Sequence, residues 1–100
     1  NDPKYNYQRV KGYKSLNDQY KPLFQQLHAI REKHAKIVNM PSANIISNNL
    51  LINIASGTQT LEEIAFPKRL GENLRSRILR DLGQVIESSV VKDVSEEYHK

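Results

Sequence analysis

His28, His34 and His99 are the side chains of this sequence best suited to acid–base or metal chemistry near neutral pH. Their spacing works against both. His28 and His34 are six residues apart, which sets them on opposite sides of a helix, so they cannot share a metal within one. His34 falls beside an apolar stripe and reads as a packed residue, and His99 lies in the tail. Glu62 and Glu63 are adjacent where a helix should start, a place where acids complement the helix dipole. No carboxylate cluster suits a two-metal nuclease, and no serine sits in a nucleophile motif. The chain has no cysteine, which removes disulfides and thiolate metal sites. Its glycines, at 12, 57, 71 and 83, are scattered, so there is no glycine-rich phosphate loop. The expectation is a chain that is not itself an enzyme, with no catalytic residue, no metal and no cofactor.

The cations are more informative. Net charge is +4, and a mildly basic chain leans toward polyanionic partners. The charge is also segregated. Residues 1–36 hold eight Lys/Arg against three acids, and 37–60 carry no charge. Residues 68–80 hold five basic groups against one acid, and acids gather in the tail. Lys68 and Arg69 sit in a turn before the last helix, and Arg75, Arg77 and Arg80 follow on it. Arginine presents a fork of donors matched to phosphate oxygens, and a helix N-terminus attracts phosphate. Arg31, Lys33 and Lys36 on the first helix form a second candidate surface. The rival reading of both sets is a solvated helix face. No aromatic platform sits among these cations in sequence, so base-specific reading is not expected.

These groups must be positioned by helices. Residues 1–14 lack apolar periodicity. Ser15-Leu16-Asn17-Asp18 is an S-x-x-D start signal. Pro22 would cost about 3 kcal/mol inside a helix but is tolerated in a first turn. Either one turn forms at 15–20 and kinks, or the helix starts near Lys21-Pro22. Leu23, Leu27, Ile30, His34 and Ile37/Val38 then recur at helical spacing to about Asn39. Residues 41–46 read as an extended linker. Ser47 caps a helix from Asn48 to Ala55 with Leu50, Leu51 and Ile54 on one face, closed by Ser56-Gly57. Thr60-Leu-Glu-Glu63 is a capping box on a short helix over 61–65. The last helix runs over roughly 72–90, with Leu74, Ile78, Leu82, Val85 and Ile86 inward. Gly83 inside it hints at close packing against a neighbour. The segment from Ser88 onward either extends this helix or frays. No strand and no internal repeat is expected.

No apolar run approaches the roughly 18–20 residues a membrane span needs. A start at Asn-Asp-Pro, without Met, reads as a piece of a longer protein.

From Leu23 onward, LFQQLHAIREKHAKIVNMPSANIISNNLLINIA, then TLEEI, then RLGENLRSRILRDLGQVI, follow an order that resembles the HRDC domain of RecQ-type helicases and ribonuclease D. The resemblance covers about two-thirds of the chain. Each piece is weak alone; order and spacing make the match. Ribonuclease D-like proteins tend to carry a W-x-R-x-K-G segment before this domain and W-R-E in its first helix. Tyr7-Gln8-Arg9-Val10-Lys11-Gly12 is similar to the first, and Ile30-Arg31-Glu32 to the second, with both tryptophans replaced. RecQ-type chains more often show P-P-Y/F after the first helix and G-V-G-x-x-K before the last; here stand Pro41-Ser42 and Lys68-Arg69-Leu70-Gly71.

The resemblance implies an all-α, HRDC-like bundle of four to five helices over residues 15–90. Residues 1–14 would be a joint from an upstream catalytic domain, and 91–100 a polar acidic tail. It implies an accessory module of a ribonuclease D-like 3′–5′ exoribonuclease, binding RNA or single-stranded DNA through phosphates. Lys33, Lys36, Lys68, Arg69, Arg75, Arg77 and Arg80 would make those contacts. The alternatives are the HRDC domain of an ATP-dependent RecQ-type DNA helicase, or a protein-interaction module packing on its own catalytic domain. Such a chain would be cytoplasmic in a bacterium and nuclear in a eukaryote, with no membrane partner.

Overall fold

Asn17 decides where the first helix begins. Its side-chain oxygen accepts the Gln19 N–H at 3.0 Å and opens a 3-10 turn over Asp18–Tyr20. Helix α1, Lys21–Val38, follows, with Pro22 in its first turn, where the missing N–H costs nothing. The structure is a computed structural model that describes residues 7–98, with side chains described through residue 89. Of the two alternatives at Pro22, the helix starting at Lys21-Pro22 is the one found, with the 3-10 turn ahead of it, and Asn17 takes the capping role expected of Ser15. Asn39, in the left-handed region at φ 53°, ends α1. The Met40 N–H then returns to the Ala35 carbonyl at 3.0 Å.

The buried face of α1 is Phe24, Leu27, His28, Arg31, His34 and Ala35. Of the stripe expected from the sequence, Leu27 and His34 lie on this face. Leu23 and Ile30 are half-buried, and Ile37 is 64% exposed. Three polar side chains occupy the inner face, His34 as expected and His28 and Arg31 in addition, each with a local reason described below.

Residues 41–46 are not an extended linker. Ser42–Ile45 forms a single helical turn, α2, with the Ile46 N–H bonded to the Ser42 carbonyl at 3.2 Å. The turn places Ile45 and Ile46 side by side in the core, which an extended chain, alternating its side chains, would not do. Helix α3, Asn48–Ser56, starts where Ser47 Oγ accepts the Leu50 N–H at 3.1 Å. It ends at Gly57, φ 84°, a conformation that suits glycine. Its buried side chains are Leu51, Ile54 and Ala55.

The capping box forms: Glu63 accepts the Thr60 N–H at 2.8 Å. The turn it caps is a 3-10 turn over Leu61–Glu63, shorter than the helix expected. After a turn at 68–70 comes α4, Glu72–Tyr98, which continues past residue 90 rather than fraying. Ile78 and Leu82 are fully buried, and Leu74, Val85 and Ile86 are half-buried beside them.

Helix α1 is the centre of the bundle, packed against α2, α3 and α4. No strand occurs among the described residues, and no helix among them is long and apolar enough to cross a membrane. The fold is an all-α globule of about four helices.

The segment 7–16 is packed on this bundle. A run of short-range backbone bonds (Val10 N–H to Tyr7 O, Tyr13 to Val10, Leu16 to Tyr13, 3.0–3.3 Å) coils it. Val10 and Leu16 enter the core. Gly12 adopts φ 98°, and a Cβ there would lie 3.8 Å from the Ile52 side chain. Tyr7 and Tyr13 meet edge to face at 5.4 Å between ring centroids, and Tyr13 reaches Phe24 at 5.6 Å. Residues 1–6, within the expected joint, and His99 lie outside the described residues, as do the acidic side chains of the tail.

Candidate nucleic-acid interface

Helix α1 carries on one side the residues that line a row of connected grooves. Gln25, His28, Ala29, Glu32, Lys33 and Lys36 recur at three- and four-residue steps, so they share a face. With Tyr7 they line a groove of about 410 Å³. Glu32 and Lys36 also line the next groove, which runs past Asn39 to Ser42. Asn39, Met40 and Pro41 continue into a third, bordered by Pro67 and Arg69. The surface from Tyr7 to Arg69 is therefore continuous, with Lys33, Lys36 and Arg69 along it, all three exposed.

The other predicted contacts are dispersed. Lys68, Arg77 and Arg80 are exposed, and Lys68 and Arg77 line none of these three grooves. Arg77 and Arg80 are three apart on α4 and so neighbours on its surface. Arg75 is half-buried, and its Nε is buried with no partner among the described residues. Arg80 joins the first set through Asp81. The Asp81 carboxyl is held below the usual carboxylate range, first by its bond to His34 and then by the positive charges of Lys33 and Arg80, against the opposing effect of burial. Lys33 on α1 and Arg80 on α4 thus both act through their charge on one acid at the seam between the helices.

Arg31 does not belong to the basic surface expected on α1. It is 3% exposed. Its Nη1 donates to the Ile46 carbonyl at 3.0 Å and to Asn48 Oδ1 at 2.7 Å. Its Nε and Nη2 donate to Glu32 Oε2 at 3.3 and 3.0 Å. This is a structural pin, holding the end of α2 and the start of α3 to the central helix and neutralising Glu32 in the groove. Burial pushes the guanidinium pKa down and Glu32 supports it; an arginine remains charged regardless.

The two histidines are both buried, each against a different neighbour of α1. Each is 4% exposed. His34 Nε2 meets Asp81 Oδ2 at 2.9 Å and ties α1 to α4; its Nδ1 is buried without a partner among the described residues. His28 is covered from the opposite flank by segment 7–16, between Tyr7 (6.2 Å) and Phe24 (5.9 Å). Burial, then the charge of Arg31, lowers its pKa, and Glu32 at 3.7 Å opposes them. Among the described residues no group of three His, Asp or Glu side chains comes together in a way that could hold a metal.

One feature was hidden from the sequence: Tyr7 shares a groove with Lys33 and Lys36. The helix-face spacing of Gln25 to Lys36 was legible, but nothing in sequence brings Tyr7 across to it.

Comparison with known families, curated proteins and solved structures gives no match to this chain.

Proposed function

We propose that this chain is an accessory nucleic-acid-binding module of HRDC type, which holds single-stranded RNA by its phosphates and presents it to an upstream ribonuclease D-like 3′–5′ exoribonuclease domain. The observation that carries the proposal is the cationic run along α1: Lys33, Lys36 and Arg69 on connected grooves, with the charges of Lys33 and Arg80 both acting on Asp81. The acid within that run, Glu32, is neutralised by Arg31, so the surface keeps its positive sign. Support for the parent comes from the motif order and from the all-α bundle that order implies. Contacts of this kind are sequence-independent, with affinity of roughly 10⁻⁴–10⁻⁶ M at physiological salt.

The test is charge reversal. Lys33→Glu with Lys36→Glu should lower affinity for a labelled single-stranded RNA about tenfold or more at low salt. Arg77→Glu, away from the grooves, should have a smaller effect. Unchanged binding in the double variant overturns the proposal.

One observation favours the protein-contact reading instead. Ile37, on the exterior of α1, is 64% exposed, and such a side chain suits an apolar contact with a neighbouring domain. Loss of catalytic-domain association in Ile37→Glu, with no RNA binding by the parent chain, would favour that reading.

A further inference from the structure

The groove nearest segment 7–16 has more than charge. Its far end carries Lys33 and Lys36; its near end carries the Tyr7 ring and buried His28, with exposed Ala29 between. Ala29 leaves the middle open, because its methyl group fills little space. The volume, about 410 Å³, falls within the roughly 300–1,000 Å³ of small-ligand pockets.

We infer that this groove is a slot for one unstacked base of a single-stranded RNA, whose backbone phosphates lie on Lys33 and Lys36. The inference rests on the phosphate-binding reading above and deepens it. Helix geometry supplies the spacing. Lys33 stands five residues beyond His28 and Lys36 eight, which is about 7.5 and 12 Å along the axis. A base near Tyr7 can therefore direct its own and its neighbour's phosphate at the two ammonium groups. Tyr7 is held in place by edge-to-face packing on Tyr13 and His28, so the aromatic wall is formed before the ligand arrives. Gln25 stands at the same end, its Nε2 donating to the Tyr13 hydroxyl at 3.3 Å. That bond orients the amide, whose remaining polar groups suit the edge of a base. Glu32 does not repel the strand, because the Arg31 guanidinium is bonded to it at 3.0 Å.

An aromatic wall beside a cationic track is the arrangement by which single strands are held without regard to sequence. A duplex, whose bases are stacked and paired, cannot fill such a slot without losing that pairing.

The experiment compares a short single-stranded RNA with a strand of equal length and charge in which the central residues are abasic, by fluorescence anisotropy at low salt. The base-bearing strand should bind the chain about tenfold more tightly. Ala29→Phe fills the slot from an exposed position and should abolish that preference, so that the two strands bind alike, with its folding checked by the thermal unfolding midpoint. Tyr7→Leu should reduce the preference too, with its folding checked by circular dichroism. Equal binding of the two strands by the unmodified chain, with Lys33→Glu still weakening both, overturns the base slot and leaves the phosphate reading standing. No binding of either strand overturns both. Displacement of the RNA by an acidic peptide as readily as by unlabelled RNA also overturns the slot.

Discussion

Arg31 Nη1 lies 2.7 Å from Asn48 Oδ1, joining positions separated by 17 residues of chain. The same nitrogen donates to the Ile46 carbonyl at 3.0 Å. One buried guanidinium thus fixes the junction of α2 and α3 against α1, and it sits directly behind the grooved face that carries Lys33 and Lys36.

Removing that guanidinium should cost more than the loss of a surface cation. Arg31→Ala leaves a buried carbonyl without its donor and Glu32 without its partner, and should destabilise the fold by about 2–4 kcal/mol. Arg31→Lys keeps the charge but not the fork and should recover only part of the loss. Urea unfolding of the three proteins measures this. A loss below about 0.5 kcal/mol for Arg31→Ala would mean that the pin is idle.

His28 sets a pH dependence. Its folded pKa lies below the ordinary value of 6.5, so between those two values the unfolded chain binds the proton and the folded chain does not. Stability is complete above about pH 6.5, declines as pH falls below it, and levels off once the folded pKa is passed. His28→Gln should flatten that part of the stability profile. A profile unchanged by the substitution would assign the slope to other groups.

The His34–Asp81 bond should be felt in both stability and binding. Asp81 has a lowered folded pKa, so its contribution is present above the unfolded value, roughly 3.9, and is lost as pH falls through the folded one. Asp81→Ala strips the partner from buried His34 Nε2 and should cost about 1–3 kcal/mol. Asp81→Asn keeps an acceptor and should cost less. It also removes a negative charge that interacts with those of Lys33 and Arg80, so RNA affinity should rise about two- to fivefold. Weaker binding by a folded Asp81→Asn protein would count against that site.

Gly83 lies inside α4, and a Cβ built there lies 3.8 Å from Leu61 Cδ1, an ordinary contact. The close approach suggested by a helical glycine is absent, and Gly83→Ala should stabilise the protein by about 0.5–1 kcal/mol through helix propensity. A lower unfolding midpoint would show that Leu61 needs the space.

Elements whose information is local were legible in the sequence. Ser47 and Gly57 bracket α3 with hydrogen bonds and a positive φ that residue type announces. Thr60 and Glu63 announce their cap in the same way. What could not be read was any assignment settled by a distant partner. Arg31 looked like a surface cation because its acceptors, Ile46 O and Asn48, come from another element. The burial of His28 was not announced because Tyr7, which covers it, lies 21 residues earlier in the chain. Ile37 looked buried because its type and spacing fitted a stripe, whereas the inner face was taken by polar groups with partners. Residues 41–46 looked extended because a four-residue helix leaves almost no periodicity. For the candidate site, residue types indicated the cations but not their arrangement, and only the packed bundle sets Lys33, Lys36 and Arg69 on one path.

The central claim is that a few cations of this chain neutralise RNA phosphates, and the salt dependence of binding tests it most directly. Anisotropy titrations of a single-stranded RNA across salt concentrations should give a linear fall of log K with log salt. Three to four phosphate contacts, the number that Lys33, Lys36, Arg69 and Arg80 allow, predict a slope of about −2 to −3. The Lys33→Glu, Lys36→Glu double variant should be shallower by at least about 1. A slope near zero, or one unaltered in the double variant, would contradict the account.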